Sequence, residues 1–195
     1  MVVPFRAPRE QLPTVSEVRS TLLNTSVQAL REYGFYAKYL SLLPTKHHED
    51  ILSVVAGNWV PIELAQVHYG TCERLDVPAS TLFEIGTSVA KRVQGTFLGT
   101  VLRLAAGGGV TVWTGLSQMD RLYERIFVGG GCRVTKLGPK EARLEFVQNP
   151  LCAYAYYRGG LRGTITASCE LFSRKVILRE VSASADSVAY RASWV

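Results

Sequence analysis

The sequence predicts an α+β fold, an N-terminal helical group packed on a C-terminal antiparallel sheet with strand–strand–helix–strand–strand order. Two patterns carry this prediction. Apolar residues recur every three or four positions as far as Ile126, then alternate with polar ones from Cys132 onward. Hairpins followed by a helix and further hairpins bury one sheet face under helices, which is an α+β arrangement. The size agrees: 195 residues, 47% hydrophobic and 19% charged, suit one globular domain and exclude disordered, collagen-like and coiled-coil chains.

Residues 1–13 carry Pro4, Pro8 and Pro13 and read as an extended arm, leaving 14–195 as a single domain. Thr14 with Glu17, and Thr25 with Gln28, have capping-box spacing and predict two helix starts. The second helix stops or kinks at Gly34, resumes through Tyr36, Tyr39 and Leu43, and ends at Pro44. A short helix follows from Lys46 to Val55. Pro61 suits the first turn of another, reaching Leu75, because a first-turn residue has no intrahelical use for its N–H. The longest helix opens at Ser80 and runs to about Ala106, with Leu82, Ile85, Val89, Val93, Phe97, Val101 and Leu104 on one face. Gly86, Gly95 and Gly99 weaken that helix and imply close approach of a neighbour, most simply another helix. After Gly107–Gly109 comes an amphipathic helix with Val112, Leu116, Met119, Tyr123 and Ile126 on one side, closed by Gly129–Gly131. Cys132–Leu137 and Ala142–Val147 flank the Gly138-Pro139 turn as a hairpin. Asn149-Pro150 starts a helical stretch interrupted at Gly159-Gly160 and Gly163, and strands over 175–181 and 188–194 close the chain.

Several function classes recede. The most apolar stretch, Gly95 to Trp113, is broken by Arg103 and three glycines, so no membrane span is predicted. The first residues lack the pattern of a secretion signal. Four cysteines (Cys72, Cys132, Cys152, Cys169) stand far apart with no Cys-x-x-Cys pair, which reads as reduced thiols in a cytoplasmic protein. The net charge of +6 is concentrated: residues 128–195 hold 10 basic and 5 acidic groups. That basic third can attract phosphates or an acidic partner, or simply be a solvated sheet face.

The element order resembles the ligand-binding superfamily that contains haem–nitric oxide domains, vinyl-reductase-type sensor domains and transport-particle (TRAPP) subunits. The stretches Ala56-Gly57-Asn58-Trp59-Val60-Pro61, His68-Tyr69, Gly138-Pro139-Lys140-Glu141-Ala142 and Tyr190-Arg191-Ala192-Ser193-Trp194 also resemble a set of proteins of this length expanded in myxobacteria. The resemblance implies helices covering an antiparallel sheet, a bound small molecule and homodimerisation through the N-terminal helices. Haem–nitric oxide domains hold iron through a helical His and grip the propionates with Tyr-x-Ser-x-Arg. His68 is placed on a helix, but that motif is missing, and no clustered Cys and acidic residues mark a zinc site. The expectation is therefore no cofactor, neither haem nor zinc.

His68 and Cys72 lie i, i+4 on one helix face and are the candidates for a metal or a nucleophile–base pair, although a structural zinc needs four ligands. The glycine triplets match no phosphate-binding motif and read as helix terminators. No Gly-x-Ser-x-Gly elbow is present. Trp59, Phe97, Trp113, Tyr154 and Tyr157, with His68 and Arg158, are the expected ligand-binding residues. Aromatics with polar tips suit either an apolar pocket with a few polar points or a packed core. Arg158 and Arg162, four apart, can receive a carboxylate, with Glu170 as the competing internal partner. The reading is a non-catalytic small-molecule-binding or protein-interaction module, sensory or scaffolding. Its alternatives are an enzyme or metal-binding protein using His68 and Cys72, and nucleic-acid binding by the basic third. The last ranks lowest because the strand residues alternating with Arg and Lys are chiefly aliphatic.

Overall fold

A computed structural model describes residues 2–94 and 111–195. Expectations that fall on 95–110, including Phe97, the second half of the longest helix and Gly107–Gly109, lie outside the described residues. The fold is α+β, as predicted, with the expected order in its C-terminal third.

Five antiparallel strands form the large sheet: β1 (Val2–Val3), β5 (Gly131–Gly138), β6 (Glu141–Val147), β8 (Val188–Trp194) and β7 (Val176–Ala183), in that spatial order. The two long hairpins arise where the period-two pattern placed them. Leu144 faces Tyr190, and Ala142 faces Ala192, which in turn faces Leu178; all are buried on the inner face. The N-terminal arm adds β1 to the edge, with Val2 opposite Thr135.

A second sheet was not foreseen. Its strands β3 (Trp59–Pro61), β2 (Glu17–Arg19) and β4 (Phe127–Val128) pair in that order, with Val18 fully buried at the centre. The helix expected at Thr14 is therefore a strand. A local capping signal is worth about 1 kcal/mol, whereas strand pairing on both sides satisfies the backbone of residues 17–19 and buries Val18. Pro61 belongs to β3 and caps the next helix from just outside it.

The helices around these sheets are α1 (Ser20–Glu32), α2 (Tyr36–Leu42), α3 (His48–Leu52), α4 (Ile62–Glu73), α5 (Ala79–Gln94), α6 (Val112–Leu116), α7 (Met119–Glu124) and α8 (Ala155–Cys169). α1 starts at Ser20, one turn before the expected Thr25, because Ser20 leaves β2 directly and its hydroxyl donates to Val55 O at 2.6 Å. α6 and α7 divide the single helix expected there. α8 is continuous through Gly159, Gly160 and Gly163, where the sequence predicts interruptions. Two of them permit close approach: a Cβ on Gly159 would meet Leu82 and one on Gly163 the carbonyl oxygen of Phe83, just as one on Gly86 of α5 would collide with the carbonyl oxygen of Gly160. Intrinsic propensity costs about 1 kcal/mol per glycine, and close backbone contact between α5 and α8 outweighs it. α8 lies between this neighbour and the inner face of the large sheet, so it carries its flanking side chains to both.

Candidate functional site

Two clusters of functional side chains emerge, one closed and one open. The closed cluster lies where α1, α2, α4 and α8 meet. His68 of α4 is fully buried. Its Nδ1 lies 2.7 Å from Tyr39 Oη and its Nε2 2.8 Å from Ser26 Oγ, with Cys72 Sγ at 3.6 Å. Tyr39 is also fully buried, and we assign its hydroxyl as donor to Nδ1, leaving the Nε2 hydrogen for Ser26. Burial lowers the imidazole pKa to about 3, so His68 is neutral, and the same burial pushes the Tyr39 hydroxyl and the Cys72 thiol up. Tyr69 packs edge-on to His68, and Tyr157 packs edge-on to Tyr69. Tyr154 lies beside Gly70 of the same α4, where it would meet any Cβ added there. Glu73, at the end of α4, accepts the Tyr156 N–H at 2.9 Å and so holds the start of α8, where an anion is favoured.

The expected metal or nucleophile pair is thus brought together, but as a packed node. Among the described residues no three His, Cys, Asp or Glu side chains gather to hold a metal ion. The other three thiols, Cys132, Cys152 and Cys169, are also buried and free, with pKa values pushed by burial to about 12. A buried protonated thiol is a poor nucleophile.

The open cluster runs along α8 between the start of α5 and strand β7. Two adjoining cavities share Arg162. One, of about 150 Å³, is lined by Ala79, Leu82, Ala155, Arg158, Gly159, Arg162 and Glu180. The other, of about 420 Å³, opens widely among Ser80, Phe83, Glu84, Arg162, Thr166, Val176, Ile177 and Leu178. Arg158 is committed internally: its guanidinium donates to Cys152 O and Ala153 O at 2.8 and 3.0 Å and to Glu180 Oε2 at 3.1 Å. Tyr190 Oη donates to the Arg158 carbonyl at 2.9 Å, tying α8 to the sheet. Arg162 is different. Its guanidinium lies 5.4 Å from the Phe83 ring centroid, and its Nε is buried without a hydrogen-bond partner. A buried donor on a charged group left unsatisfied costs free energy until something accepts its hydrogen. Glu170, the expected competitor, instead accepts the Val176 N–H.

The remaining expected residues are dispersed. Trp59 lies on the small sheet beneath the Arg19 guanidinium, 3.9 Å from its ring. Trp113 stands edge-on to Trp194, donates its indole N–H to Pro139 O at 2.8 Å and carries Lys136 over its face. Of the expected set, Arg158 lines the groove, His68 and Tyr157 belong to the closed cluster behind it, and Tyr154 lies beside Gly70. Phe83, Glu180 and Leu178 were not foreseen as site residues, since no sequence signal pairs α5 with β7.

No family model matches the chain, and no curated protein sequence matches it. Solved structures do. One is an Fe(II) unliganded H-NOX protein mutant from K. algicida, with a TM-score of 0.66 at 9% identity, covering 91% of this chain and 96% of that one. A Cs H-NOX mutant gives 0.60 at 14% identity, covering 90% and 96%. An oxygen-binding H-NOX domain related to soluble guanylate cyclases, in its oxygen complex, gives 0.56 at 13% identity, covering 90% and 94%. The chain therefore has the fold of H-NOX domains, the haem–nitric oxide type that its element order resembles.

This corrects the expectation of no cofactor. That expectation rested on a missing motif, and the structures sharing this fold include haem proteins, so a missing motif is no ground for excluding a cofactor. What the described residues present to a haem is a narrower matter: His68 and His48 are committed to partners within the fold. Both nitrogens of His68 are engaged, and aromatic rings fill the space beside it. His48 Nε2 is bonded to Leu43 O, His47 lies beside Asp50, and neither groove cavity is lined by His, Cys or Met.

Proposed function

We propose that the chain is a non-catalytic ligand-binding module of the sensory type. The groove between α5, α8 and β7 takes a small apolar or aromatic molecule that carries an anionic group. The observation that carries this reading is Arg162, a guanidinium with a buried, unpartnered Nε at the junction of two apolar-walled cavities. A carboxylate would reach that hydrogen only as the groove widens around Arg162, while Leu82, Phe83, Val176 and Leu178 would cover the apolar body. Arg158 lines the same groove with its guanidinium committed to Glu180, Cys152 O and Ala153 O, and the cluster of His68 and Tyr157 lies on the other side of the same helix. Because α8 is bonded to the sheet through Tyr190 and packed backbone to backbone on α5, a ligand favouring one spacing of these elements shifts the population of that spacing. The fold's likeness to H-NOX domains supports a ligand-binding role. The four free cysteines support a reducing, cytoplasmic setting. The homodimer through the N-terminal helices belongs to the same proposal, with native mass spectrometry as its measurement.

Thermal unfolding with phenylacetate, octanoate and inorganic phosphate as probes tests the groove. A site filled at about 100 times Kd stabilises by roughly 2.7 kcal/mol, a shift of several degrees. The expected result is a shift with an organic carboxylate in the parent chain and none in Arg162→Gln. Absence of a shift with all three probes, together with no small molecule retained in native mass spectrometry, overturns the reading.

A further inference from the structure

The outer face of the large sheet, opposite α8, carries an arrangement that the groove does not use. The register places Thr135, Arg143, Arg191 and Arg179 in one row across β5, β6, β8 and β7, so Arg143 lies directly opposite Arg191, and Arg191 directly opposite Arg179. Neighbouring strands are about 4.8 Å apart, and the three guanidinium stems leave the sheet within roughly 10 Å of one another. Like charges directly opposite across strands destabilise a sheet. Fold stability therefore does not explain the row.

Internal compensation is incomplete. Arg191 is paired with Glu141. Arg143 Nε lies 3.4 Å from Glu145, but that carboxylate is engaged more closely by Arg133, at 2.7 Å. Arg179 has no ion pair among the described residues and is exposed. Four arginines thus stand against two carboxylates on this face. Its β5 side is occupied by the chain itself, since Phe5 of the N-terminal arm lies under the Arg133 guanidinium. The open part is β6–β8–β7, and Ile177, 43% exposed, lies two residues before Arg179 on the edge strand, where it also forms the rim of the groove.

We propose that this arginine row docks an acidic helical segment of a partner protein. Carboxylates at i, i+3 and i+4 on a helix stand about 5–6 Å apart, commensurate with the strand spacing. Guanidinium groups suit such partners because their planar donors match a carboxylate in pairs. Ile177 supplies an apolar contact beside the charges. Single-stranded nucleic acid fits this face less well: it is held by base stacking as well as charge, and the sheet's own rings, Phe146, Tyr190 and Trp194, are all buried on the inner face.

The test uses the full chain, at low ionic strength, with three labelled probes: an alanine-based helical peptide with glutamates along one face, an oligo-dT strand, and vesicles containing phosphatidylserine. Arg143→Gln/Arg179→Gln/Arg191→Gln removes the row. Arg74→Gln/Arg121→Gln/Arg125→Gln removes the same charge from exposed positions elsewhere. Thermal unfolding of both triples confirms that they fold. The expected result is peptide binding by the parent, weakened about tenfold by the row variant and less than about twofold by the control, as three exposed ion pairs allow. Hydrogen exchange should show protection by the peptide over β7 and β8. Equal weakening in both triples, no peptide binding by the parent, or preference for oligo-dT or vesicles overturns the proposal.

Discussion

The His68 cluster and the Arg162 groove flank the same helix, α8, and use the same kinds of residue to opposite effect. In the first, an imidazole, hydroxyls and a thiol are buried together, and His68 has a partner on each ring nitrogen. In the second, one charged donor is left without an acceptor beside solvent-open space. A satisfied polar network locks a core into one arrangement, while an unsatisfied donor at an opening leaves something for a ligand to do. Both ring nitrogens of His68 have partners, although the neighbouring Tyr156 Oη is buried without one, whereas the Arg162 Nε is an unpartnered donor on a charged group beside an opening.

The largest expected effect tests the wall that both regions share. Gly163→Val drives a side chain into the Phe83 carbonyl, and Gly86→Val does the same at Gly160. Each should cost more than about 4 kcal/mol, and circular dichroism should report loss of the cooperative transition. Unaltered melting would mean that α5 and α8 do not touch.

Next comes the closed cluster. His68→Ala removes a filled volume and strands the Tyr39 hydroxyl and Ser26, at a cost of about 3 kcal/mol in denaturant unfolding. If stability instead changes little while ligand response disappears, the two regions have exchanged roles.

Acid should reveal the same cluster. The imidazole titrates near 6.5 in the unfolded chain and at about 3 in the folded one. Between those values the unfolded state binds more protons, so His68's contribution to stability is full above pH 6.5 and falls as pH drops towards 3. The slope of unfolding free energy against pH in that window should flatten in His68→Gln. An unchanged slope places the acid sensitivity elsewhere.

The smallest effect sharpens the other side. Arg162→Leu removes a partnerless donor and lays an aliphatic chain beside Phe83, so stability should change by less than about 0.5 kcal/mol or rise slightly. A marked loss of stability without any ligand would make Arg162 a structural group like His68.

The open groove was partly legible in advance. Arg158 and Arg162 are four apart, and that spacing alone puts both on one helix face. Their fates were not legible. Glu180, which holds Arg158, lies on a strand beyond the end of the helix, and Phe83, which flanks Arg162, lies on a helix far earlier in the chain. His68 and Cys72 were visible as a pair for the same reason of helical spacing, but the partners that close the site, Tyr39 and Ser26, come from other helices.

By itself the sequence determined the class of fold, the two long hairpins and the stop at Gly34, whereas the helix expected to run to Gly129–Gly131 ends at Glu124 and gives way to the strand Phe127–Val128. The first three follow from periodicity and turn chemistry, which act over a few residues. Only the tertiary structure decided that residues 17–19 pair as a strand, that the glycines of α8 are contact points with α5, and that three arginines align across three strands. Each depends on which distant segment lies alongside, and that is settled by the burial and pairing of whole elements, a long-range balance that outweighs local preferences of about 1 kcal/mol.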